Sequence, residues 1–368
     1  MMKLLNNGYL ISAKNLSLVI CLGLFLNIYI PSVNSQEFPD QPFTLVVGFG
    51  VGGSVDRMTR VVSTYLAEEL GQPVQVINRN GAGTLLAANF VLGRPHDGYT
   101  IFGSAFSPYL SNTILEGNAD YSIDDFSYMN FQWFDEDLIA LSKASKYKNL
   151  QELLKAIRTN PKTVRASVVR GSAGHLMAKL LLEVNDIPQE NLNLVAYNSG
   201  GQARAAVAGG VVDFTVISAE GCESIREYIE PLAIVSDLPN QEWDAPTLND
   251  ALQELGLSAP ILPGSIRGFA TTTEFKTTYP ERFNFISAAL ERTLQNPELQ
   301  ELLQRSNIGG RWIGPLQSTE IMDTNFEIFK NYSYLLELQR KTFWMQKKLT
   351  CLLIYSSHLS SLELLPGI

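Results

Sequence analysis

Apolar positions in the first third of the chain follow two alternating rhythms. Short runs rich in β-branched residues at 44–47, 74–77 and 100–103 read as buried strands. Between the first two, Met58, Val61, Val62, Tyr65 and Leu66 recur at helical spacing, and 84–92 carries a second helix. This alternation predicts a parallel α/β sheet. The stretch 111–134, irregular and rich in Asn, Asp and aromatics, reads as a surface excursion leading to a crossover. The rhythm then resumes with strands at 138–141, 164–169, 194–197 and 214–217, helices at 150–157 and 176–183, and a short Ala-rich helix after Gly201. A strand at 232–235 turns the chain back towards the first set. A helix over 245–256, a strand near Phe269, helices at 280–294 and 297–305 and a last helix at about 318–338 complete the pattern.

The turns between these elements carry the candidate chemistry. Gly48-Phe49-Gly50-Val51-Gly52-Gly53 joins the first strand to its helix, Ser54 is the expected N-cap, and Gly71 the stop. Glycines let a ligand approach the backbone, and the unpaired N–H groups and dipole of the helix start favour an anion there. In parallel sheets ligands sit beyond the carboxyl ends of strands, so Gly48, Asn78 and Gly103 mark one wall of a cleft. Ser104 then either donates to a carboxylate or caps the next helix. Arg170-Gly171-Ser172-Ala173-Gly174-His175 repeats the device, without the upstream glycine of a nucleophile elbow at Ser172. His175 stands at this possible site or simply packs at the helix start. Asp56, one turn into the first helix, faces the cleft or pairs with Arg60.

Two readings of the first turn compete. Gly48-x-Gly50-x-x-Gly53 fits the dinucleotide fingerprint, but the second strand ends in Asn78-Arg79 where an NAD site needs an acidic residue. Arg79 could serve a 2′-phosphate instead. The other reading rests on three blocks in order: Phe49-x-x-Gly52-Gly53-x-x-Asp56 with Glu69-Leu70-Gly71-Gln72-Pro73-Val74, then Asn78-Arg79-x-Gly81-Ala82-Gly83, then Asp97-Gly98-Tyr99-Thr100. Further along come Gly171-Ser172-x-Gly174, Tyr197-x-x-Gly200 and Gly209-Gly210-x-x-Asp213. From about 38 to 338 the chain resembles the solute receptors of tripartite tricarboxylate transporters (the Bug or TctC-like family), with Gly48, Thr84 and His96 as departures from its pattern.

That resemblance implies a two-lobed, type II-like periplasmic binding protein of α/β class, with its cleft between two α/β domains. The first domain would comprise 36–137 and 236–338, the second 138–235. It implies a ligand site formed by Phe49, Gly52, Gly53, Ser54, Asp56 and Ser104 on one wall, and by Ser172, Gly174, His175, Tyr197 and Gly200 on the other. The ligand would be a small carboxylate (a di- or tricarboxylate, an amino acid or an aromatic acid), handed to the transporter's membrane subunits. The alternatives are an NAD(P)- or phosphate-binding enzyme, or a receptor reporting to a signalling partner.

Composition narrows the field. At 368 residues the chain can hold two cored domains, and its net charge of −9 argues against nucleic acid as a partner. Lys3 and Lys14 precede and flank an apolar run at 16–30 that Pro31 breaks, which suits a signal peptide over 1–35 better than a full membrane span, an uncleaved anchor being the alternative. Either way the body lies outside the cytoplasm, in the periplasm on the family reading. Cys222 and Cys351 leave a disulfide undecided, and His96, His175 and His358 are too scattered for a metal set. No cofactor is expected. The tail 339–368, with Arg340, Lys341, Lys347 and Lys348 beside Phe343 and Trp344, reads as an amphipathic membrane-surface helix or an unrelated extension.

Overall fold

The computed structural model describes residues 38–336; the expected signal segment, the tail and Cys351 lie outside them. The chain opens with β1 (Phe43–Val47), α1 (Ser54–Leu70), β2 (Val74–Asn78), α2 (Leu85–Leu92), β3 (Thr100–Ser107), α3 (Tyr109–Leu115) and β4 (Phe126–Asp135). It continues through β5 (Asp137–Ser142), α4 (Leu150–Thr159), β6 (Arg165–Val169), α5 (Ala173–Glu183), β7 (Asn193–Tyr197), α6 (Gly200–Ala208), β8 (Phe214–Ser218) and β9 (Ile229–Val235). Helix α7 (Leu248–Gln253), β10 (Ser265–Thr272), α8 (Thr273–Thr278), α9 (Pro280–Gln295), α10 (Pro297–Arg305) and α11 (Gly314–Asn331) follow. Two five-stranded sheets result, ordered β2-β1-β3-β10-β4 and β7-β6-β8-β5-β9.

Neither sheet is wholly parallel, contrary to the sequence expectation. In the first, β1 pairs in parallel with β2 and β3, while β10 runs antiparallel to both β3 and β4. In the second, β6 is parallel to β7 and β8, and β5 antiparallel to β8 and β9. The strands that reverse direction are those by which the chain changes sheets. Strand β4 passes into β5 with only Glu136 between them, and β10 returns after the second sheet is complete. Local strand–helix alternation fixes the direction of neighbours joined by a helix and is silent on such returning strands.

The presumed surface excursion at 111–134 is also corrected: it holds α3 and the ten-residue β4, whose FSYMNFQWFD is buried at all positions but one. Buried on both faces, β4 shows no polar–apolar alternation to betray it. Its polar members are satisfied inside. The Asn130 amide donates to Arg311 O at 2.9 Å and accepts from Ile313 N–H at 2.8 Å, and Gln132 Nε2 donates to Gly309 O at 2.8 Å. These bonds hold the loop leading into α11 against the sheet.

Helix α1 buries Met58, Val62, Leu66 and Leu70, spaced four apart on one stripe. Gly71, left-handed at φ 64°, ends it as expected, but the N-cap is Gly53 and not Ser54, which is already helical. One core joins β1, β3, β4 and β10 through Val46, Phe102, Phe131 and Ala270, with Met322 from α11. The other surrounds Ile139, Val168, Leu180 and Val216 and also takes in Leu248 and Leu252 of α7 and Phe329 near the end of α11. The segment after β9 therefore divides between the two cores.

Glycine 174 shows how closely α5 lies on the second sheet: a Cβ there would come within 2.2 Å of Val216 O. Gly174→Ala must displace α5 from β8, and we expect a loss of about 1–3 kcal/mol in the urea unfolding free energy. Gly201→Ala, whose Cβ meets nothing within 4 Å, should leave the midpoint nearly unchanged.

Candidate functional site

The turn after β1 is held from beneath. Gly52 adopts φ 80°, where a side chain is strained, and its N–H donates to Asp56 Oδ2 at 2.8 Å. Asp56 Oδ1 accepts from Arg60 Nε at 3.0 Å and from Asn78 Nδ2 at 2.8 Å, and Asn78 also donates to Phe49 O. Burial alone would raise the Asp56 pKa, but the bonds from Arg60, Gly52 and Asn78 outweigh it and hold the carboxyl below its usual range. The carboxylate thus holds the glycine turn together, and Asp56 is not among the residues that line the cavity described next. Asn78, standing where a dinucleotide site needs its ribose-binding acid, is committed to the same network.

Above this turn lies a cavity of about 210 Å³ that the two sheets share. Gly50 to Ser54 form one wall, with Phe49 packed edge-on against Tyr109 at 5.0 Å. Ser199, Gly200 and Gly201 at the start of α6 form the facing wall, joined by Ile217 and Ser218 from the end of β8. Ser199 caps α6 by accepting from Gln202 N–H. Two helix N-termini, one from each sheet's set, therefore open on one space.

Of the residues expected at the site, Phe49, Gly52, Gly53, Ser54 and Gly200 line this cavity. Ser104 lies beneath Gly48 on β3, which runs four residues further than expected; its hydroxyl is buried without a partner among the described residues. Ser172 caps α5 by accepting from His175 N–H at 3.0 Å, and Gly174 packs on β8. His175 is buried, its Nδ1 accepts from Gly171 N–H, and burial, aided by Lys179 and Arg170, pushes its pKa down to about 3, so it is neutral. Tyr197 ends β7, its carbonyl accepting from Arg170 N–H. Ser104, Ser172, Gly174, His175 and Tyr197 frame the cavity's supports and are not among its lining residues.

Two arginines that sequence reasoning passed over do line it. Arg267, on β10, is 3 % exposed. Its Nη2 donates to Asp135 Oδ2 at 2.9 Å and to Ser218 Oγ at 3.3 Å, its Nε donates to Ser54 Oγ at 3.1 Å, and its guanidinium lies 4.3 Å over the Trp133 ring. Arg204, one turn into α6, is half-buried against Gly200 and Gly221. The available signal was a lone charge inside an apolar run, Ser265-Ile266-Arg267-Gly268-Phe269, because a charge is kept in a buried strand only with partners. A larger, shallower depression of about 600 Å³ lies among Glu136, Glu220, Glu242 and Trp243, and its acidity is wrong for an anion.

The family profile described as "Tripartite tricarboxylate transporter family receptor" matches residues 58–320, more than half of the chain. The chain belongs to this family. The receptor is 27% identical over 296 residues to a UPF0065 protein of Pseudomonas sp. from the tcbD-tcbE intergenic region, covering 78% of this chain and 85% of that one. It is 28% identical over 218 residues to protein BugT of Bordetella pertussis, covering 58% and 65%. Among solved structures, MatC from Rhodopseudomonas palustris with bound malate superimposes with a TM-score of 0.69 at 20% identity, covering 80% of this chain and 100% of that one. A second protein of that organism, with adipate, gives 0.67 at 21% identity, covering 81% and 98%. The fold is thus that of two-lobed periplasmic solute-binding proteins, and family and fold indicate a binding protein rather than an enzyme. Among the described residues no helix is long and apolar enough to cross a membrane.

The carboxylates near Arg267 make the receptor's stability depend on pH. Burial, with Asp135 beside it, pushes Asp137 up to about 7, and burial does the same to Glu220, whose carboxylate accepts from Trp133 Nε1. An unfolded Asp titrates near ~3.9, so between about pH 4 and 7 the folded protein holds protons that the unfolded chain has released. Stability therefore falls as pH rises through that window. Asp56 acts oppositely: its contribution is present above ~3.9 and lost as pH drops through its depressed value. Buried His175 opposes this decline below its unfolded value of ~6.5, so calorimetry should show a Tm that declines most clearly from about pH 6.5 to about pH 8, and Asp137→Asn should flatten the decline.

Proposed function

We propose that this receptor captures a small organic acid in the cavity between its lobes and delivers it to the membrane subunits of a tripartite tricarboxylate-type transporter. The observation that carries this reading is the shared cavity itself, with the N-termini of α1 and α6 facing it from opposite lobes. A carboxylate there can accept from backbone N–H groups of both. Each charge-assisted bond is worth about 1.5–3 kcal/mol, so several reach the roughly 8 kcal/mol of micromolar binding. The malate and adipate held by two proteins of the same fold support the ligand class.

Export by the segment 1–35 and a periplasmic location accord with the family and with the apolar run at 16–30. The lobes, 36–137 with most of 236–338 and 138–235, would close by bending where the chain crosses. At that place Glu136 accepts from Ser236 Oγ at 2.7 Å and from Asn240 Nδ2 at 3.1 Å, tying the two crossings together. Closure is then driven by contacts that only the shut cleft makes.

A thermal-shift screen of di- and tricarboxylates, acidic amino acids, aromatic acids, NAD and NADP on the mature protein tests the reading. An acid present at a hundred times its Kd should add about 2.7 kcal/mol of stability. Stabilisation by NAD or NADP, or by none of the acids, would overturn it.

A further inference from the structure

The cavity holds more positive charge than a lone carboxylate answers. Arg267 comes from the first sheet and Arg204 from α6 of the second set, and the Arg204 guanidinium forms no hydrogen bond or ion pair among the described residues. Among the described residues Arg267 Nη1 is buried without a hydrogen-bond partner, although Nε and Nη2 are both engaged. A buried donor of this kind is costly unless something accepts from it. Burial lowers the Arg204 pKa, and Arg267 and Arg57 add like-charge repulsion that Cys222 and Asp135 only partly oppose. A protein of net charge −9 thus gathers arginines at one cleft.

Nearby acids do not cancel them. Asp135 is bound to Arg267, while Asp137 and Glu220, pushed up to about 7, carry less than their full charge at neutral pH. Two guanidiniums and two helix ends of about half a charge each, set against Asp135 and the partial charges of Asp137 and Glu220, leave the cavity positive.

We propose that Arg204 and Arg267, one from each lobe, are the charge-reading pair of this receptor and select a small anion carrying two negative charges. The inference rests on the receptor reading and adds which charge state the cleft accepts and which residues decide it. Backbone N–H groups at the helix starts take one acid group without distinguishing its companion. The guanidiniums discriminate: an amide or ester carbonyl in place of the second acid can accept a hydrogen bond but leaves the half-buried Arg204 charge without a counter-charge. Arg267 also links occupancy to closure, because one guanidinium touches Ser54 of the first lobe and Ser218 of the second. An anion accepting from its Nη1 fixes the group that bridges them.

Isothermal titration on the mature protein with succinate, L-malate, glutarate and adipate, each beside its monoamide, tests the pair. The wild type should bind its best diacid at least about tenfold more tightly than the matching monoamide. Arg204→Gln should weaken the diacid by about tenfold or more and leave the monoamide nearly unchanged, so that the ratio collapses, and Arg204→Lys should restore part of it. Arg267→Lys, which keeps a cation beside Asp135, should reduce the same ratio while the circular dichroism spectrum stays native. An equal loss for both ligands in Arg204→Gln would show a merely structural role and overturn the proposal, as would a wild type that binds monoamides as well as diacids. If no acid of the panel binds the wild type, the receptor reading itself fails, a result distinct from binding without charge selection.

Discussion

A guanidinium with almost no exposure stands where the two sheets approach each other, and three further elements are organised about it. Arg267 draws on Ser54 from α1, Asp135 from the end of β4, Ser218 from the end of β8 and the face of Trp133. Taking such an ion pair out of water costs several kcal/mol per ion, and removing one partner destabilises by about 3–5 kcal/mol. The contact is therefore a requirement on the fold: the start of α1, the crossing at Asp135 and the rim of the second sheet must all be in place together. The glycine turn above it obeys the same logic on a smaller scale, with Asp56 holding Gly52, Arg60 and Asn78 in one network.

The cavity follows from these two networks. Each wall is built on a helix start presented by a turn with little or no side chain, to which Arg204 and Arg267 add the cationic side chains. Much of what lies behind the walls is polar and buried, with Asp56, Asn78 and Asp135 held in hydrogen bonds of their own. The cationic lining lies at the same place in the molecule.

Much of this was legible in the sequence, for physical reasons that can be named. The turn at Gly48–Gly53 could be read because glycines between a β-branched run and a helical stripe leave few alternatives, and Gly71 could be read as a stop because the left-handed position it occupies favours glycine. Strand β4 escaped because a strand covered on both faces loses its alternation, and its Asn130 and Gln132 looked like surface residues until their partners in the loop before α11 were known. The reversed direction of β10 escaped because it depends on where the chain returns from, which no local window contains. Ser172, Gly174 and His175 form a helix start by sequence as Gly52 to Ser54 do, but Gly174 presses against Val216 while Gly52 meets nothing. Only packing distinguishes the two turns. Arg204 and Arg267 had no motif around them, and their importance lies in what surrounds them in space.

The passage from β4 to β5 through a single residue has a mechanical corollary. With Asp135 and Asp137 each fixed in its own ladder, the two rotatable bonds of Glu136 are nearly all the freedom that this connection offers. A turn at this point would be a swivel of a few backbone torsions and not a sliding of the two sheets. An axle so short would bring the two sheets back to the same register each time it turned.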